Sequence, residues 1–370
     1  MDVPINMPIL GREEVREAGR VLRTGNLANA SMEGGPNVRE FEDLAGRFLG
    51  SSYAVAVNSG TAAIQAALYA LGIGKGDEVL VPSFTFVATA NAVVSAGAKP
   101  VFVDIDKRYT MDPEDLEGKI GRDSKAVIPV HLYGNVARIR EICRIADENG
   151  LTVIEDAAQS MGSTYRKRQS GTFGELGCFS LYPAKVVTAG EGGLVVTDSR
   201  ELYDKLRMVR NHGMIRGYDS ETFGLNLRMP EINAAIAKVQ MKRLPSFLER
   251  RRANARALSG MLADSGVCIP EQREHEEVNW YLYTISTEKQ GELKGALNAA
   301  GFGANVYYPT PVHRTPFYAG MMGGDESGRK KGLPVTEWAS KHVLSLPVHP
   351  GVRRAHLGRM SRIVADLCGA

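Results

Sequence analysis

The chain is poor in cysteine, with four in 370 residues. Cys143, Cys178, Cys268 and Cys368 are widely scattered, none in a CxxC pair or beside a histidine, which argues against a zinc site and a disulfide framework. The seven histidines contain no HExxH and no close cluster, so no catalytic metal is expected. No run of about eighteen apolar residues occurs, so no membrane-spanning helix is expected. The start "MDVPINMPILGREEVREAG" lacks the basic and apolar stretches of a secretory signal, and a cytoplasmic location is expected. A large excess of one charge is also missing. Lys plus Arg number 45 against 42 Asp plus Glu, a net charge of +3, too mild to point to nucleic acid. The basic runs "RKR" (166–168) and "RRR" (250–252) are short and read as solvated faces.

What is present has the balance of an ordinary globular protein, 44% hydrophobic and 24% charged, with length for two domains. Short apolar runs alternate with amphipathic stretches. "YAVAV", "DEVLVP", "PVFVDID", "AVIPVHL", "TVIED", "GCFSLY" and "GLVVTD" read as strands. Between them "AAIQAALYAL", the spacing of Phe86, Ala90, Val93, Val94 and Gly97, and the stretch 136–149 read as helices. Strand–helix alternation with Val/Ile-rich strands predicts an α/β fold, a mostly parallel sheet sandwiched by helices. After residue 245 the pattern changes to a charged helix (246–262), shorter strands such as "WYLYTIS" (280–286) and a polar loop, "MMGGDESGRKKG" (321–332). This predicts a large domain over 1–245 and a smaller α+β domain over 246–370.

Ligands of open α/β sheets sit outside the carboxyl ends of the strands, and the candidate residues gather at such ends. Asn58, Ser59, Gly60 and Thr61 follow the first strand and open a helix. Free N–H groups and the positive helix end there suit a phosphate, though Ser and Thr are also ordinary helix caps. Asp156 ends "TVIED" and is followed by small residues, as if something large approaches closely. Lys185 lies between apolar runs before "GEGG", and a lysine in apolar surroundings becomes a usable nucleophile towards carbonyls. A phosphate cradle, a carboxylate at a strand end and a desolvated lysine together describe a site for pyridoxal 5'-phosphate. "GIGKGD" (72–77) has glycines spaced faintly like a nucleotide loop, but it follows a helix and precedes a strand, so it reads as a turn.

From "FEDLAGRFLG" through "NSGTAAIQAAL", "PSFTFVATANAVVSAGAKPVFVDID", "PVHLYG", "EDAAQSMGS" and "FSLYPAKVVTAGEGG" to "GLNLRMPEINAAI", "YYPTPVHRTPFY" and "LSLPVHP", the chain resembles the DegT/StrS nucleotide-sugar aminotransferases. The resemblance implies a pyridoxal-phosphate transferase of fold type I, the aspartate-aminotransferase fold. It implies that Lys185 is the Schiff-base lysine and Asp156 the partner of the pyridine nitrogen. By the same resemblance Gln159 meets the phenolic oxygen, and Gly60, Thr61, Ala62 and Ser180 hold the phosphate. Phe86 stacks on the ring, and Asn226 reaches the phosphate of the partner subunit's cofactor in a homodimer with shared sites. Tyr308 and His313 fall in the segment that lines the sugar pocket of relatives.

The implied reaction moves an amino group, with L-glutamate as donor, onto a keto carbon of a nucleotide-linked sugar. The stretch "TGNLANASMEGGPNVREFE" is longer than the usual connection, and "YPAK" with "GEGG" mixes features of enzymes acting at different carbons. The sugar carbon, C3 or C4, is therefore left open. Two other readings share the fold. A sugar dehydratase replaces the lysine with histidine, which Lys185 argues against, and a regulatory protein without turnover needs no intact lysine, aspartate and phosphate site.

Overall fold

The computed structural model describes residues 3–322 and 332–369; the expected polar loop lies largely outside the described residues. Strands β1 (Tyr53–Val57), β2 (Glu78–Pro82), β3 (Lys99–Val103), β4 (Ser124–Val127), β5 (Thr152–Asp156), β6 (Leu176–Ser180) and β7 (Gly193–Thr197) form one sheet. Their order is β1-β7-β6-β5-β4-β2-β3. The pairs from β6 to β3 are parallel, whereas β7 is antiparallel to both β6 and β1. The exception has a local cause. Parallel neighbours need a long crossover, but the loop 181–192 folds straight back on itself, with Leu181 N–H donating to Gly192 O at 2.8 Å and Ala189 N–H to Leu181 O at 2.9 Å.

Helices α1 (Arg12–Thr24), α2 (Pro36–Leu49), α3 (Gly60–Ala70), α4 (Ala88–Ser95), α5 (Pro113–Lys119), α6 (Ile139–Glu148), α7 (Arg200–Arg210) and α8 (Glu231–Leu262) accompany the sheet. Alternate strand residues face opposite cores, as a period of two requires. Val55, Val57 and Val195 pack with α3, α4 and α7, while Ala54, Ala56, Leu194 and Val196 pack with α2 and α8. The alanines of α3 (Ala62, Ala63, Ala66, Ala67 and Ala70) are all buried, which lets this helix lie close on the sheet. Its N-terminus is thereby brought to the strand ends.

A second core forms around β8 (Tyr283–Ser286) and β9 (Val343–Leu346), which pair antiparallel. Of the remaining helices α9 (Gln290–Ala299), α10 (Pro316–Met322), α11 (Pro334–His342) and α12 (Arg354–Cys368), α9 and α12 bury Leu293, Leu297, Leu357, Met360 and Val364 there. The helix expected to start at 246 is instead the second half of α8, which runs through Pro245. Proline normally ends a helix. Here the apolar face continues across it, with Leu244, Phe247 and Leu248 in the first core and Ala255, Leu258 and Leu262 in the second, so packing outweighs the local preference. The two-domain division stays a proposal, supported by this change of core along α8. The strand expected over 280–286 begins only at Tyr283, because Trp280 adopts a left-handed backbone (φ 52°). No helix among the described residues is long and apolar enough to cross a membrane.

The N-terminal segment is tied into the second core. Val3 N–H donates to Gly301 O, and buried His349 donates from Nε2 to Pro4 O at 3.0 Å while Nδ1 accepts from Gly351 N–H. Burial, with the Arg251 charge nearby, depresses the His349 pKa to about 4. An unfolded chain takes up this proton near pH ~6.5. Between those values the unfolded state binds more protons, so stability falls as pH drops from about 6.5 to about 4. We expect His349→Gln to remove roughly 2–3 kcal/mol of that pH-dependent loss. Urea unfolding at a series of pH values measures it, and an unchanged slope contradicts the assignment.

Candidate active site

At the carboxyl ends of β1, β5 and β6, a cavity of about 880 Å³ opens beneath the loop 181–192. Gly60, Thr61, Phe86, Asp156, Gln159, Ser180, Lys185 and Tyr308 all line it. Residues separated by up to 248 positions in the chain thus meet at one place, although no two of the segments that carry them touch in sequence.

The α3 N-terminus forms one end. Ser59 caps it, its hydroxyl accepting from Ala62 N–H at 3.1 Å, and Ala63 N–H reaches Ser59 O. The N–H groups of Gly60 and Thr61, which have no intrahelical partner, stand at the positive end of the helix. Gly60 is required by contact: a Cβ there would lie 2.7 Å from Ser180 Cβ. Gly193 is similar, since a Cβ would lie 2.2 Å from Ser59 O. These two glycines press the ends of β6 and β7 onto the helix start, and so place the Ser180 hydroxyl beside the free N–H groups. Ala62 itself is buried, and its N–H is already taken by the Ser59 cap.

Asp156 ends β5, buried, with its carboxylate oriented from two sides. Oδ2 accepts from the Thr89 hydroxyl at 2.9 Å and Oδ1 from Ala158 N–H at 3.1 Å. Thr85 stands 3.1 Å from Thr89 Oγ1, extending the chain of hydroxyls. Burial raises the Asp156 pKa, against the Thr89 hydrogen bond and the charge of Lys185. Burial also lowers the Lys185 amine to about 8, opposed by Asp156 and Tyr182. Burial pushes each group toward its neutral form, and an opposite charge placed against Asp156 would favour its carboxylate. Lys185 as a residue is only half-buried, because one side faces the cavity. Its Nζ lies 4.8 Å from the centre of the Tyr281 ring.

Gln159 is held in one orientation. Its Oε1 accepts from Tyr133 N–H at 2.8 Å, which leaves Nε2 to donate to Tyr308 OH at 2.9 Å. Tyr308 has a left-handed backbone (φ 60°), and burial raises its hydroxyl pKa. Phe86, 60% exposed, presents a ring to the cavity without covering it.

Three expected residues lie elsewhere in this chain. Ala62 sits behind the helix start. His313 is buried between Ser83, whose Oγ is 2.6 Å from Nδ1, and Glu337 Oε1, 3.3 Å from Nε2, and it is not on the cavity wall. Asn226 is exposed, and its backbone carbonyl accepts from Asn58 Nδ2 at 3.1 Å. Of the long stretch 24–42, Ala30 and Met32 are tied down by Asn211 and Arg210, which donate to their carbonyls. The sequence reading missed Thr89 and Tyr281. Thr89 carried one weak signal, a polar residue on the apolar face of a predicted helix; Tyr281 carried none within an aromatic strand pattern.

The model of the DegT/DnrJ/EryC1/StrS aminotransferase family matches residues 8–365. The chain is 40% identical to a dTDP-3-amino-3,4,6-trideoxy-alpha-D-glucose transaminase of Streptomyces venezuelae, over 90% of this chain and 87% of that one. It is 38% identical to a UDP-N-acetyl-3-dehydro-alpha-D-glucosamine 3-aminotransferase of Acidithiobacillus ferrooxidans, over 91% and 90%. The crystal structure of S. venezuelae DesV in complex with a ketimine intermediate superposes with a TM-score of 0.91 at 37% identity, covering 100% of both chains.

Proposed function

The chain belongs to the DegT/DnrJ/EryC1/StrS aminotransferase family, and on that premise we propose that it transfers an amino group from L-glutamate to C3 of a nucleotide-linked ketosugar, with pyridoxal 5'-phosphate as cofactor. The observation that carries the reading is the convergence of a depressed lysine amine, a buried oriented carboxylate and a helix N-terminus on one cavity. Carbon 3 is carried over from the names of the two relatives, one acting on a dTDP-sugar and one on a UDP-sugar. The nucleotide is left open between them.

The residues present fit the cofactor. Gly60 and Thr61 N–H groups with the Ser180 hydroxyl would hold its phosphate, and Phe86 would cover one face of its ring. Asp156 would meet the ring nitrogen and Gln159 Nε2 the phenolic oxygen. When bound to Lys185, pyridoxal phosphate supplies an electron sink for the bonds around the donor's α-carbon. Everything else falls to the chain's own groups. Lys185 Nζ, near neutrality in its pKa, takes a proton and returns it one atom away. Burial raises the Asp156 pKa, a cation facing it favours its charged form, and Thr89 and Ala158 N–H hold it in line. Gln159 is fixed by Tyr133 so that it donates into the cavity. The homodimer, with Asn226 reaching the partner's site, and a cytoplasmic location belong to the same proposal.

The test is a two-stage assay. Purified protein loaded with pyridoxal phosphate should change its absorbance spectrum on addition of L-glutamate and release 2-oxoglutarate. Nucleotide 3-ketosugars should then restore the first spectrum and yield an amino sugar identified by mass and NMR. Borohydride reduction before glutamate should fix the cofactor on the peptide containing Lys185. Label on another lysine, or a spectrum that glutamate leaves unchanged, defeats the proposal.

A further inference from the structure

Tyr281 and Arg251 present a problem in electrostatics. Arg251, on α8, is 2% exposed, and among the described residues no carboxylate pairs with it. A buried guanidinium without a counter-ion is costly, so its neutral partners must account for it. Nη1 donates to Trp280 O at 3.0 Å and to Tyr281 O at 3.2 Å, and Nη2 to Asn6 Oδ1 at 2.7 Å. Arg251 therefore bolts the strained turn at Trp280, left-handed for a bulky residue, to the N-terminal segment. A second brace comes from Asn279, whose Oδ1 accepts from Tyr281 N–H at 2.9 Å. Its Nδ2 donates to Gln159 O and Met161 O.

What this turn delivers is the Tyr281 ring, 4.8 Å from Lys185 Nζ. An aromatic face attracts an ammonium and has no such attraction for a neutral amine. During amino transfer Lys185 alternates between these forms. As a free amine its nitrogen lone pair becomes an N–H bond when a substrate C–H bond breaks, and the proton returns when that bond re-forms on the neighbouring atom. We propose that Tyr281 is a catalytic residue whose ring face stabilises the ammonium form of Lys185, and that Arg251 is the positioning residue that holds the ring there. This rests on the aminotransferase reading above. The other titratable groups lining the cavity are Asp156, Glu191, Tyr182, Tyr307 and Tyr308. Asp156 and Tyr182 favour the same ammonium by charge, so the ring adds to a balance already set against burial.

The experiment uses the full chain with its cofactor, saturated with L-glutamate, which frees Lys185 as an amine. Trace labelling with acetic anhydride across a pH series, read by mass spectrometry on the Lys185 peptide, gives the protonation midpoint without turnover. Tyr281→Leu should lower the midpoint by about half to one pH unit, while Tyr281→Phe, which keeps the ring, should leave it in place. Arg251→Met should move it in the direction of Tyr281→Leu, and Arg251→Lys by less. An unmoved midpoint in a folded Tyr281→Leu overturns the proposal. So does a drop in Tyr281→Phe equal to that in Tyr281→Leu, which would assign the effect to the hydroxyl. If Tyr281→Leu does not fold, Tyr281→Met takes its place in the same comparison. A wild-type Lys185 that stays unlabelled after glutamate points instead to failure of the aminotransferase reading.

Discussion

Asp156→Asn is expected to lower turnover by about a thousandfold while leaving the protein folded and Lys185 able to capture pyridoxal phosphate. The substitution keeps the shape at the end of β5, and the remaining Oδ1 can still accept one of the two hydrogen bonds now made by Thr89 and Ala158 N–H. What it removes is the charge. A buried carboxylate is itself unfavourable, and burial already raises this one's pKa, so losing the charge does not destabilise the apoprotein. The melting temperature should therefore stay the same or rise. The penalty appears only where a positive ring nitrogen must be held in its charged form, because that form makes the cofactor an effective electron sink. Steady-state amino transfer, with the half-reaction followed by absorbance, separates the two effects. Near-normal turnover in a folded, cofactor-loaded Asp156→Asn would contradict the role assigned to it. Asp156→Ala should lose at least as much and additionally remove the acceptor of the 2.9 Å hydrogen bond from Thr89, leaving that hydroxyl only Phe86 O and Thr85.

How far the site was legible depended on the kind of signal each residue leaves. The sheet was readable because Val55, Val79, Val81, Val153, Ile154 and Val195 are buried in strands short enough to be marked off by turns. Its one antiparallel strand was not, since direction depends on how the loop 181–192 folds and not on the composition of β7. The long helix α8 was cut in two by its proline, a local signal that two separate cores override. Lys185 and Asp156 stood out because a charged residue between apolar runs is unusual. Thr89 and Tyr281 did not, because threonine and tyrosine are ordinary occupants of a half-buried helix or strand. Their importance arises only from the partner across the fold, Asp156 in one case and Lys185 in the other. Gly60 and Gly193 belong between these extremes: glycine-rich turns were visible, but the reason for each glycine lies in the backbone or side chain it presses against.

Lys185→Ala should abolish amino transfer, by a factor on the order of 10⁵ or more, since it removes both the attachment point and the proton carrier. This variant also provides the sharpest test of how sites are shared. Asn226 is exposed in the single chain and absent from the wall of its own cavity, though its backbone is held beside Asn58, which does line it. That placement supports the proposal that its side chain serves a second copy. Asn226→Asp would set a carboxylate against a phosphate dianion and should weaken cofactor binding by like-charge repulsion. Once each variant is shown to be inactive alone at the cofactor concentration used, the two are mixed under conditions of subunit exchange. If Asn226 completes the partner's site, each mixed dimer has one site carrying both lesions and one site carrying neither. Equal mixing should restore about a quarter of the wild-type rate, because half of the dimers are mixed and each has one intact site of two. If Asn226 acts within its own chain, every site in a mixed dimer keeps one lesion, and the mixture stays dead although exchange, followed with a mass-tagged subunit, is complete. Recovery with Lys185→Ala present on one chain throughout would also show that each working lysine draws its phosphate contact from the neighbouring subunit.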